Sequence, residues 1–278
     1  MIDKPLISII IPCYNDAKYI EQSVNSALNQ TYKNIEVIVI DDGSNAETKS
    51  ILKSIESKLT KLITQENKGQ STARNVGINL AQGDFILVLD SDDFFEPTFC
   101  EKALLIFKGN TNVEIVTCNA NLLFEYKRND IYCPIGGDLN NFLIRNCALG
   151  TSMFKRDSWE KVKGYDESMR KGFEDWEFFI RILIEGGTCQ VIPEALYNYR
   201  KKIISTTSKA NKNKYKLLNY IYTKHKDLYI ENYKPFVSHL LKIAEREENE
   251  KLKNTQRVEF KIGKALLKPL RFIKALIK

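Results

Sequence analysis

Short apolar runs alternate with amphipathic stretches through the first ninety residues of the chain. The runs resemble strands covered on both faces and comprise residues 6–11, 35–40, 62–64 and 85–89. Between them, apolar side chains recur every three or four residues, which predicts helices over residues 17–29, 45–58 and 71–81. Strand, helix and strand at this spacing form βαβ units with parallel neighbouring strands. The pattern therefore predicts an α/β fold.

Polar loops follow three of these strands, at residues 12–16, 41–44 and 90–93. In an open α/β sheet, ligands bind outside the carboxyl ends of the strands. We therefore expect Tyr14, Asp42 and Asp92, one from each loop, to line a single crevice.

The last of these loops is strongly acidic. Asp90, Asp92 and Asp93 directly follow a buried strand. Placing three negative charges so close together costs free energy unless a cation or hydrogen-bond donors offset the repulsion. An extended backbone points Asp90 and Asp92 to the same side, where a divalent ion that prefers oxygen ligands could meet either or both. A solvated acidic turn is the alternative, since two aspartates at this spacing are common by chance.

The residues around this edge suit a nucleoside diphosphate. Tyr14 offers a flat surface for stacking of a base, and the Asp42 carboxylate could accept the imide or amide hydrogen of a pyrimidine. Arg74 and Lys68 supply cationic donors for phosphate oxygens, and Asp92 supplies a metal ligand that bridges to them. Taken singly, each of Tyr14 and Arg74 could equally well have no role in binding and simply be packed in the core or solvated.

The middle of the chain is less regular. The predicted strands there comprise residues 113–118, 150–154 and 188–192. Residues 119–137 contain turn residues and little periodicity, as is typical of a variable loop. An amphipathic helix is predicted over 172–183, with Glu174 and Asp175 in its first turn, where the helix dipole favours carboxylates. Helix capping alone would account for both acidic residues.

From about residue 209 the pattern changes to long helices without a motif that carries chemistry. The two histidines, His225 and His239, are isolated, and we interpret them as structural or exposed. In the final segment, residues 256–278, a basic stripe runs beside an apolar stripe, which is typical of a helix that lies on an anionic membrane surface. Docking on the main domain or a second subunit, or calmodulin-like recognition, would use the same pattern.

Composition narrows the class of protein. The 278 residues carry a net charge of +7. Residues 253–278, with eight Lys or Arg and one Glu, account for all of it. The main domain is therefore not expected to bind polyanions such as nucleic acid by charge alone. Six cysteines without a C-x-x-C pair argue against a zinc site and a disulfide framework. We expect no transmembrane helix, no signal peptide and a cytoplasmic location.

Four segments together resemble the serial motifs of family 2 glycosyltransferases of the bacterial cell-surface glycan type. They are Ser8-Ile-Ile-Ile-Pro-Cys-Tyr-Asn15, Ile40-Asp-Asp-Gly-Ser44, Gly69-Gln-Ser-Thr-Ala-Arg-Asn75 and Leu89-Asp-Ser-Asp-Asp93. The resemblance implies the GT-A fold of nucleotide-diphospho-sugar transferases, a Rossmann-like mixed sheet flanked by helices, with a helical C-terminal extension. The expected divisions are a GT-A domain, a helical extension and a basic membrane-surface helix, at residues 1–208, 209–255 and 256–278.

The resemblance also implies roles for single residues. Asp175 matches the general base of an inverting transferase, and Asp92 matches the ligand of a Mn²⁺ or Mg²⁺ ion, with Asp90 nearby. The expected nucleotide-binding residues are Pro12, Tyr14, Asn15, Asp42, Lys68, Arg74, Asp90 and Ser91. The expected donor or acceptor contacts are Glu174, Trp176, Arg200 and Ser205. Because the late loop at Arg200 and Ser205 has no His, we expect no third metal ligand from it.

The implied reaction moves a sugar from a nucleotide-sugar donor, with UDP favoured, to a hydroxyl of a glycan or lipid-linked acceptor in surface polysaccharide synthesis. The basic segment would place the protein at the inner face of the cytoplasmic membrane as a peripheral protein. Two other classes fit parts of the pattern. A nucleotidyltransferase would also place nucleotide and metal at strand ends, although the first loop here lacks its Gly-rich basic phosphate cradle. A non-catalytic nucleotide-sugar-binding protein would have no need of Asp175.

Overall fold

The computed structural model describes residues 4–124, 130–202 and 206–276, with side-chain surroundings described except at residues 206, 207, 209 and 268–276. The chain divides into two compact units, Met1–Lys224 and His225–Lys278. All strands within the described ranges belong to the first unit.

The N-terminal half of the first unit is a parallel sheet with helices between its strands. The strands are β1 (Ile7–Cys13), β2 (Ile35–Asp41), β3 (Lys61–Thr64) and β4 (Phe85–Val88). The helices are α1 (Ile20–Leu28), α2 (Ala46–Ile55) and α3 (Gln70–Leu80). β1 pairs in parallel with β2 and β4, and β2 pairs in parallel with β3. The elements predicted for this half are confirmed, with ends that differ by a few residues.

The second half of the first unit adds strands of both directions and short helices. Its elements are β5 (Phe94–Phe95), α4 (Phe99–Gly109), β6 (Val113–Leu123), β7 (Asp130–Tyr132), α5 (Leu139–Ile144), β8 (Met153–Lys155), α6 (Arg156–Lys161), α7 (Glu174–Ile184) and β9 (Thr188–Arg200). The loop predicted over 119–137 is wrong for residues 119–123, where β6 continues, and for residues 130–132, where β7 pairs with β6. The strand predicted over 188–192 is likewise too short. β6 and β9 pair along nearly their whole length, and these backbone hydrogen bonds sustain strand ends that have no apolar run.

The described strands form one mixed sheet in the order β3-β2-β1-β4-β8-β6-β9-β5, with β7 beside β6. β8 is antiparallel to both β4 and β6, and β6 is parallel to β9. Two antiparallel steps restore the original direction, so β6 and β9 run the same way as β1. The carboxyl ends of β1, β2, β4 and β9 therefore lie at one edge of the sheet.

β1 lies at the centre of the apolar core. Ile7, Ile9, Ile10 and Ile11 are each fully buried, because helices cover both faces of the sheet. Each such side chain contributes about 1.5–3 kcal/mol through burial. α3 approaches so closely at Gly77 that a Cβ there would lie 2.5 Å from Ile10 Cγ2.

Two polar side chains that interrupt the apolar runs of β1 and β2 satisfy each other. Ser8 Oγ donates to Glu36 Oε1 at 2.5 Å, and the backbone N of Gln82 donates to the same oxygen at 2.6 Å. The backbone N of Gly83 donates to Ser8 Oγ at 2.9 Å. An unpaired polar group in this place would cost about 1–3 kcal/mol. The network therefore fixes the turn that leads from α3 into β4.

The helices after β9 continue the first unit beyond residue 208. They are α8 (Thr206–Lys212) and α9 (Lys214–Lys224), and Leu217 and Ile221 of α9 are buried. The second unit contains α10 (Lys226–Glu231), α11 (Tyr233–Gln256) and α12 (Val258–Leu276). No helix among the described residues combines the length and hydropathy needed to cross a bilayer. The functional division at residues 208 and 255 stays a prediction.

Gly83→Ala should destabilise the first unit by about 1–3 kcal/mol. The added Cβ would lie 2.5 Å from Ser8 Oγ, 2.7 Å from Ser8 N and 2.8 Å from Leu6 O. Gly109→Ala is the matched control, since a Cβ there would meet no atom within 4 Å beyond its chain neighbours and the backbone of its own helix. It should raise stability by about 0.4–1 kcal/mol. Denaturant unfolding measures both changes. Wild-type stability of Gly83→Ala would contradict this packing.

Candidate active site

A crevice with a cavity of about 390 Å³ opens at the edge of the sheet where β1, β2, β4 and β9 end. Tyr14, Asp42 and Asp92 all line it, so the three polar loops converge as the strand pattern predicts. The other expected nucleotide-binding residues that line it are Pro12, Asp90 and Ser91.

Tyr14 and Asp42 differ in the exposure and hydrogen bonding of their side chains at the crevice. Tyr14 is 51% exposed, which leaves its ring available for stacking. Asp42 is buried, and its Oδ1 accepts from Gln65 Nε2 at 2.7 Å and from Lys68 N at 2.8 Å. Its Oδ2 accepts from Gly69 N at 2.9 Å. The carboxylate is thus fixed in place, and Oδ2 keeps a lone pair for a further donor.

Three of the described residues expected to bind nucleotide do not line this crevice. Asn15 has a left-handed backbone (φ 60°). It joins the loop after β1 to the segment after β2, because its N donates to Ser44 Oγ at 3.1 Å and its Oδ1 accepts from Asn45 N at 2.7 Å. Lys68 has an exposed side chain outside the cavity. Arg74 lines a second, neighbouring cavity instead.

Asp92 is paired with a lysine. Lys202 Nζ lies 2.7 Å from Asp92 Oδ2 and 3.2 Å from Asp16 Oδ1. Partial burial lowers the pKa of Lys202, but its bonds to Asp92 and Asp16 outweigh that effect and raise the pKa above its ordinary value. Arg200 Nη1 donates to the backbone carbonyl of Asp92. Two cations therefore lie beside the acidic loop, where they can attract an anionic ligand.

Asp92 can hold a divalent ion if a ligand supplies further oxygens. The described residues contain no group of three or more His, Cys, Asp or Glu side chains that could hold a metal ion by themselves. Mg²⁺ sites on nucleotides commonly use only one or two carboxylates together with substrate phosphates. The Asp92 side chain is 24% exposed and lines the crevice, so it fits that arrangement.

Asp93 connects the acidic loop to β9. Its carboxylate is fully buried and accepts from Tyr197 OH at 2.5 Å and from the backbone N of Arg200 at 2.7 Å. Burial, together with the neighbouring Asp92 and Asp90, raises the pKa of Asp93 to about 8. The third aspartate of the loop therefore positions the end of β9.

A second cavity of about 400 Å³ adjoins the first and shares Gln70, Asp90 and Tyr199 with it. Asp175 lines this cavity, and its Oδ2 accepts from Asn146 Nδ2 at 2.9 Å.

The backbone fixes where Asp175 lies. α7 begins directly after Phe173, which has a left-handed backbone (φ 66°). That conformation costs a residue other than glycine about 1–3 kcal/mol and persists only where the surrounding structure enforces it. The start of α7, and with it Asp175, is therefore held by its surroundings.

Arg74 joins the acidic loop to α7. It is 2% exposed, with Nη2 3.1 Å from Asp90 Oδ1 and Nη1 2.9 Å from Glu174 Oε1. Its guanidinium carbon lies 5.3 Å from the centre of the Tyr165 ring. Burial raises the pKa of Glu174 to about 7 and also raises that of Asp90, while the Arg74 charge lowers both. Arg74 is thus the counter-ion that favours the charged form of both carboxylates.

The expected donor or acceptor contacts occupy different places. Glu174 and Trp176 line the second cavity, yet each is only 6% exposed. Both side chains already have partners within the protein. Glu174 pairs with Arg74, and Trp176 Nε1 donates to the carbonyl of Phe142 at 2.6 Å. Arg200 lines the first cavity. Ser205 lies outside the described residues.

Several residues that line the cavities are not among those expected from the sequence. They are Asp16, Gln70, Tyr132, Asn146, Arg170, Tyr199 and Lys202. Asp16 and Gln70 stand in polar segments next to predicted strands and helices, which is a signal that could have indicated them. Tyr132 and Asn146 come from the irregular middle of the chain, where no local pattern marks them.

Comparisons with known proteins identify the family of the chain. Residues 8–163, more than half of the chain, match the family described as "Glycosyl transferase family 2", and residues 141–203 match "N-terminal domain of galactosyltransferase". An uncharacterized glycosyltransferase of Rickettsia prowazekii is 33% identical over 193 residues, covering 64% of this chain and 59% of the relative. The chondroitin synthase of Escherichia coli is 35% identical over 201 residues, covering 70% of this chain and 29% of the relative. The chain thus spans less than two thirds of the length of either relative.

Solved structures share the fold. S. aureus TarS 1-349 in complex with UDP-GlcNAc has a TM-score of 0.62 and 23% identity, covering 73% of this chain and 61% of TarS 1-349. The mannosyltransferase PcManGT from Pyrobaculum calidifontis in complex with GDP-Man and Mn²⁺ has a TM-score of 0.57 and 20% identity, covering 74% of this chain and 60% of its own. The mixed sheet flanked by helices is the GT-A fold, with C-terminal helices added, as the sequence predicts. The chain belongs to glycosyltransferase family 2.

Proposed function

We propose that this chain moves a sugar, with inversion at the anomeric carbon, from a nucleoside diphosphate to a hydroxyl of a glycan or lipid-linked acceptor in surface polysaccharide synthesis. The observation that carries the proposal is the adjacency of two cavities with different chemistry. One combines an exposed Tyr14 with cations, and the other presents the carboxylate of Asp175. Because the cavities share a wall, a donor in the first and an acceptor in the second would meet beside it.

The first cavity suits the nucleoside diphosphate. In our proposal Tyr14 stacks on the base and Asp42 Oδ2 accepts a hydrogen from it, while Arg200 and Lys202 face the phosphates. Asp92 would hold Mn²⁺ or Mg²⁺ together with phosphate oxygens, and the bound ion supplies positive charge for the departing diphosphate. The TarS complex with UDP-GlcNAc supports UDP, although PcManGT holds GDP-Man, so we test both nucleotides.

The second cavity suits the acceptor. Asn146 holds Oδ2 of Asp175 and leaves Oδ1 to take the proton of an acceptor hydroxyl. The hydroxyl oxygen would attack the anomeric carbon from the face opposite to the departing diphosphate, which inverts the configuration. Arg74 and Glu174 act as positioning residues, because their ion pair holds the start of α7 against the acidic loop.

The second unit supports a membrane-surface position. The described large apolar side chains of α12 are 46–72% exposed, namely Val258, Phe260, Ile262, Leu266 and Leu267. Lys261 and Lys264 alternate with them along the helix. Exposed apolar side chains beside lysines favour binding in the interface of an anionic bilayer. We propose that residues 256–278 hold the enzyme at the inner face of the cytoplasmic membrane, close to a lipid-linked acceptor.

Asp175→Asn should reduce sugar transfer by about 10²–10⁴-fold, because an amide cannot take the acceptor proton. Nucleotide affinity should stay close to that of the wild type, because Asp175 does not line the first cavity. The measurement is release of UDP from UDP-GlcNAc or another UDP-sugar, with and without acceptor. Asp157→Asn makes the same chemical change at an exposed residue in the first turn of α6 and should retain activity. Near-wild-type turnover of Asp175→Asn would exclude its role as the base.

Isothermal titration with UDP, GDP and dTDP, each with and without Mn²⁺, tests the donor cavity. We expect UDP to bind most tightly, with a Mn²⁺-dependent gain in affinity that Asp92→Ala removes. Asp157→Ala should leave the gain intact, since Asp157 lies outside both cavities. Absence of binding by all three nucleotides would contradict a nucleotide site in this crevice.

Deletion of residues 256–278 should abolish co-sedimentation with vesicles that contain phosphatidylglycerol. Full-length protein should bind these vesicles, bind neutral phosphatidylcholine vesicles less, and dissociate as salt increases, because screening weakens attraction between lysines and lipid headgroups. Equal binding by the full-length and truncated proteins would rule out this segment as the membrane anchor.

A further inference from the structure

Lys202 lies where a metal ion would approach Asp92. Its ammonium is 2.7 Å from Asp92 Oδ2, 3.2 Å from Asp16 Oδ1 and 4.7 Å from the centre of the Tyr19 ring. Ser91 Oγ donates to the other oxygen of Asp16 at 2.6 Å, which fixes that carboxylate. Two carboxylates and an aromatic face thus hold one cation on the wall of the crevice.

The end of β9 is bonded to the acidic loop, and this holds Lys202 beside Asp92. Arg200, two residues earlier, donates its backbone N to Asp93 Oδ1 at 2.7 Å and its Nη1 to the backbone carbonyl of Asp92. The acidic loop and the end of β9 are therefore joined at two points beside Lys202. Its placement next to Asp92 follows from the fold as well as from attraction between the two charges.

A divalent ion and Lys202 would compete for Asp92. Within the part of the chain that the structure describes, Lys202 is the cation paired with the Asp92 side chain. An ion bound to the same carboxylate would lie close to the ammonium, and two positive charges at short distance repel unless an anion lies between them. A diphosphate supplies such an anion, with oxygens for both the ion and the lysine. The Lys202 side chain is 34% exposed, so it has room to leave Asp92.

We propose that Lys202 neutralises Asp92 in the nucleotide-free enzyme, so that a divalent ion binds Asp92 tightly only together with the nucleoside diphosphate. The inference rests on the proposed function for the identity of that ligand. It makes metal and nucleotide binding mutually reinforcing, since a coupling free energy acts equally on both ligands. When the diphosphate arrives, the lysine moves to its oxygens and acts there as a point charge.

The test measures Mn²⁺ binding to the nucleotide-free enzyme by electron paramagnetic resonance of the unbound ion. Lys202→Met should tighten Mn²⁺ binding by at least about tenfold, because it removes the competing charge. Lys201→Met is the matched control: it removes the same charge from the adjacent residue, whose ammonium lies 4.3 Å from the centre of the Tyr199 ring. It should change Mn²⁺ affinity by less than about threefold, since the lysine paired with Asp92 among the described residues is Lys202 and not Lys201. Lys202→Arg, which keeps the charge, should resemble the wild type.

Two further measurements test whether the change in Mn²⁺ affinity arises at Asp92. In an Asp92→Ala background, Lys202→Met should no longer tighten Mn²⁺ binding, which identifies Asp92 as the shared partner. With saturating UDP, the difference between Lys202→Met and wild type should shrink, because the diphosphate has already drawn the lysine away. Lys202→Gln repeats the measurement with a second side chain, so that the result does not depend on the folding of one variant.

Equal effects of Lys202→Met and Lys201→Met on Mn²⁺ affinity would overturn the proposal, as would a Lys202→Met effect that persists without Asp92. These measurements use neither a sugar donor nor an acceptor. An enzyme that binds Mn²⁺ as expected here but transfers no sugar would overturn the proposed function and leave the role of Lys202 intact. An enzyme that transfers sugar while Lys202→Met leaves Mn²⁺ affinity unchanged would do the reverse.

Discussion

The buried guanidinium of Arg74 holds the two chemical halves of the site together. It pairs with Asp90 in the loop after β4 and with Glu174 at the start of α7, segments that are distant in sequence. Removing one partner from a buried ion pair typically costs about 3–5 kcal/mol, because the other charge is left uncompensated. Arg74 Nε has no hydrogen-bond partner among the described residues. The cluster therefore contributes more to positioning than to stability, since an incompletely bonded buried charge is a cost to folding.

The acidic loop gives each of its aspartates a different task. Asp90 accepts from Arg74 and from Gln70, Asp92 pairs with a lysine on the crevice, and Asp93 accepts from the end of β9. A motif that looks like a single metal site in the sequence is thus divided among an internal ion pair, a carboxylate that lines the crevice and a structural hydrogen bond. Three carboxyl groups can be concentrated here because each has its own donor or cation, and because the raised pKa of Asp93 favours its uncharged form.

Local pattern was sufficient for the first half of the fold. Continuous apolar runs and helical periodicity defined the βαβ units, and the direction of parallel strands then brought three loops together. The second half depends on long-range pairing, since β6 and β9 sustain each other where neither has an apolar run. The same limit applies to Arg74. Its cationic head suggested a phosphate ligand, and only the partner Glu174, a hundred positions later, reveals that it is buried.

The common wall of the two cavities, formed by Gln70, Asp90 and Tyr199, also defines a target for synthetic ligands. A compound that links a nucleoside-like group to an acceptor-like group across this wall would bind its second half intramolecularly. A short linker sets an effective concentration in the millimolar range, and the combined affinity can exceed that of either half by about 10²–10⁴-fold. The adjacency on which our proposed reaction depends would equally favour binding of a single inhibitor that occupies both cavities.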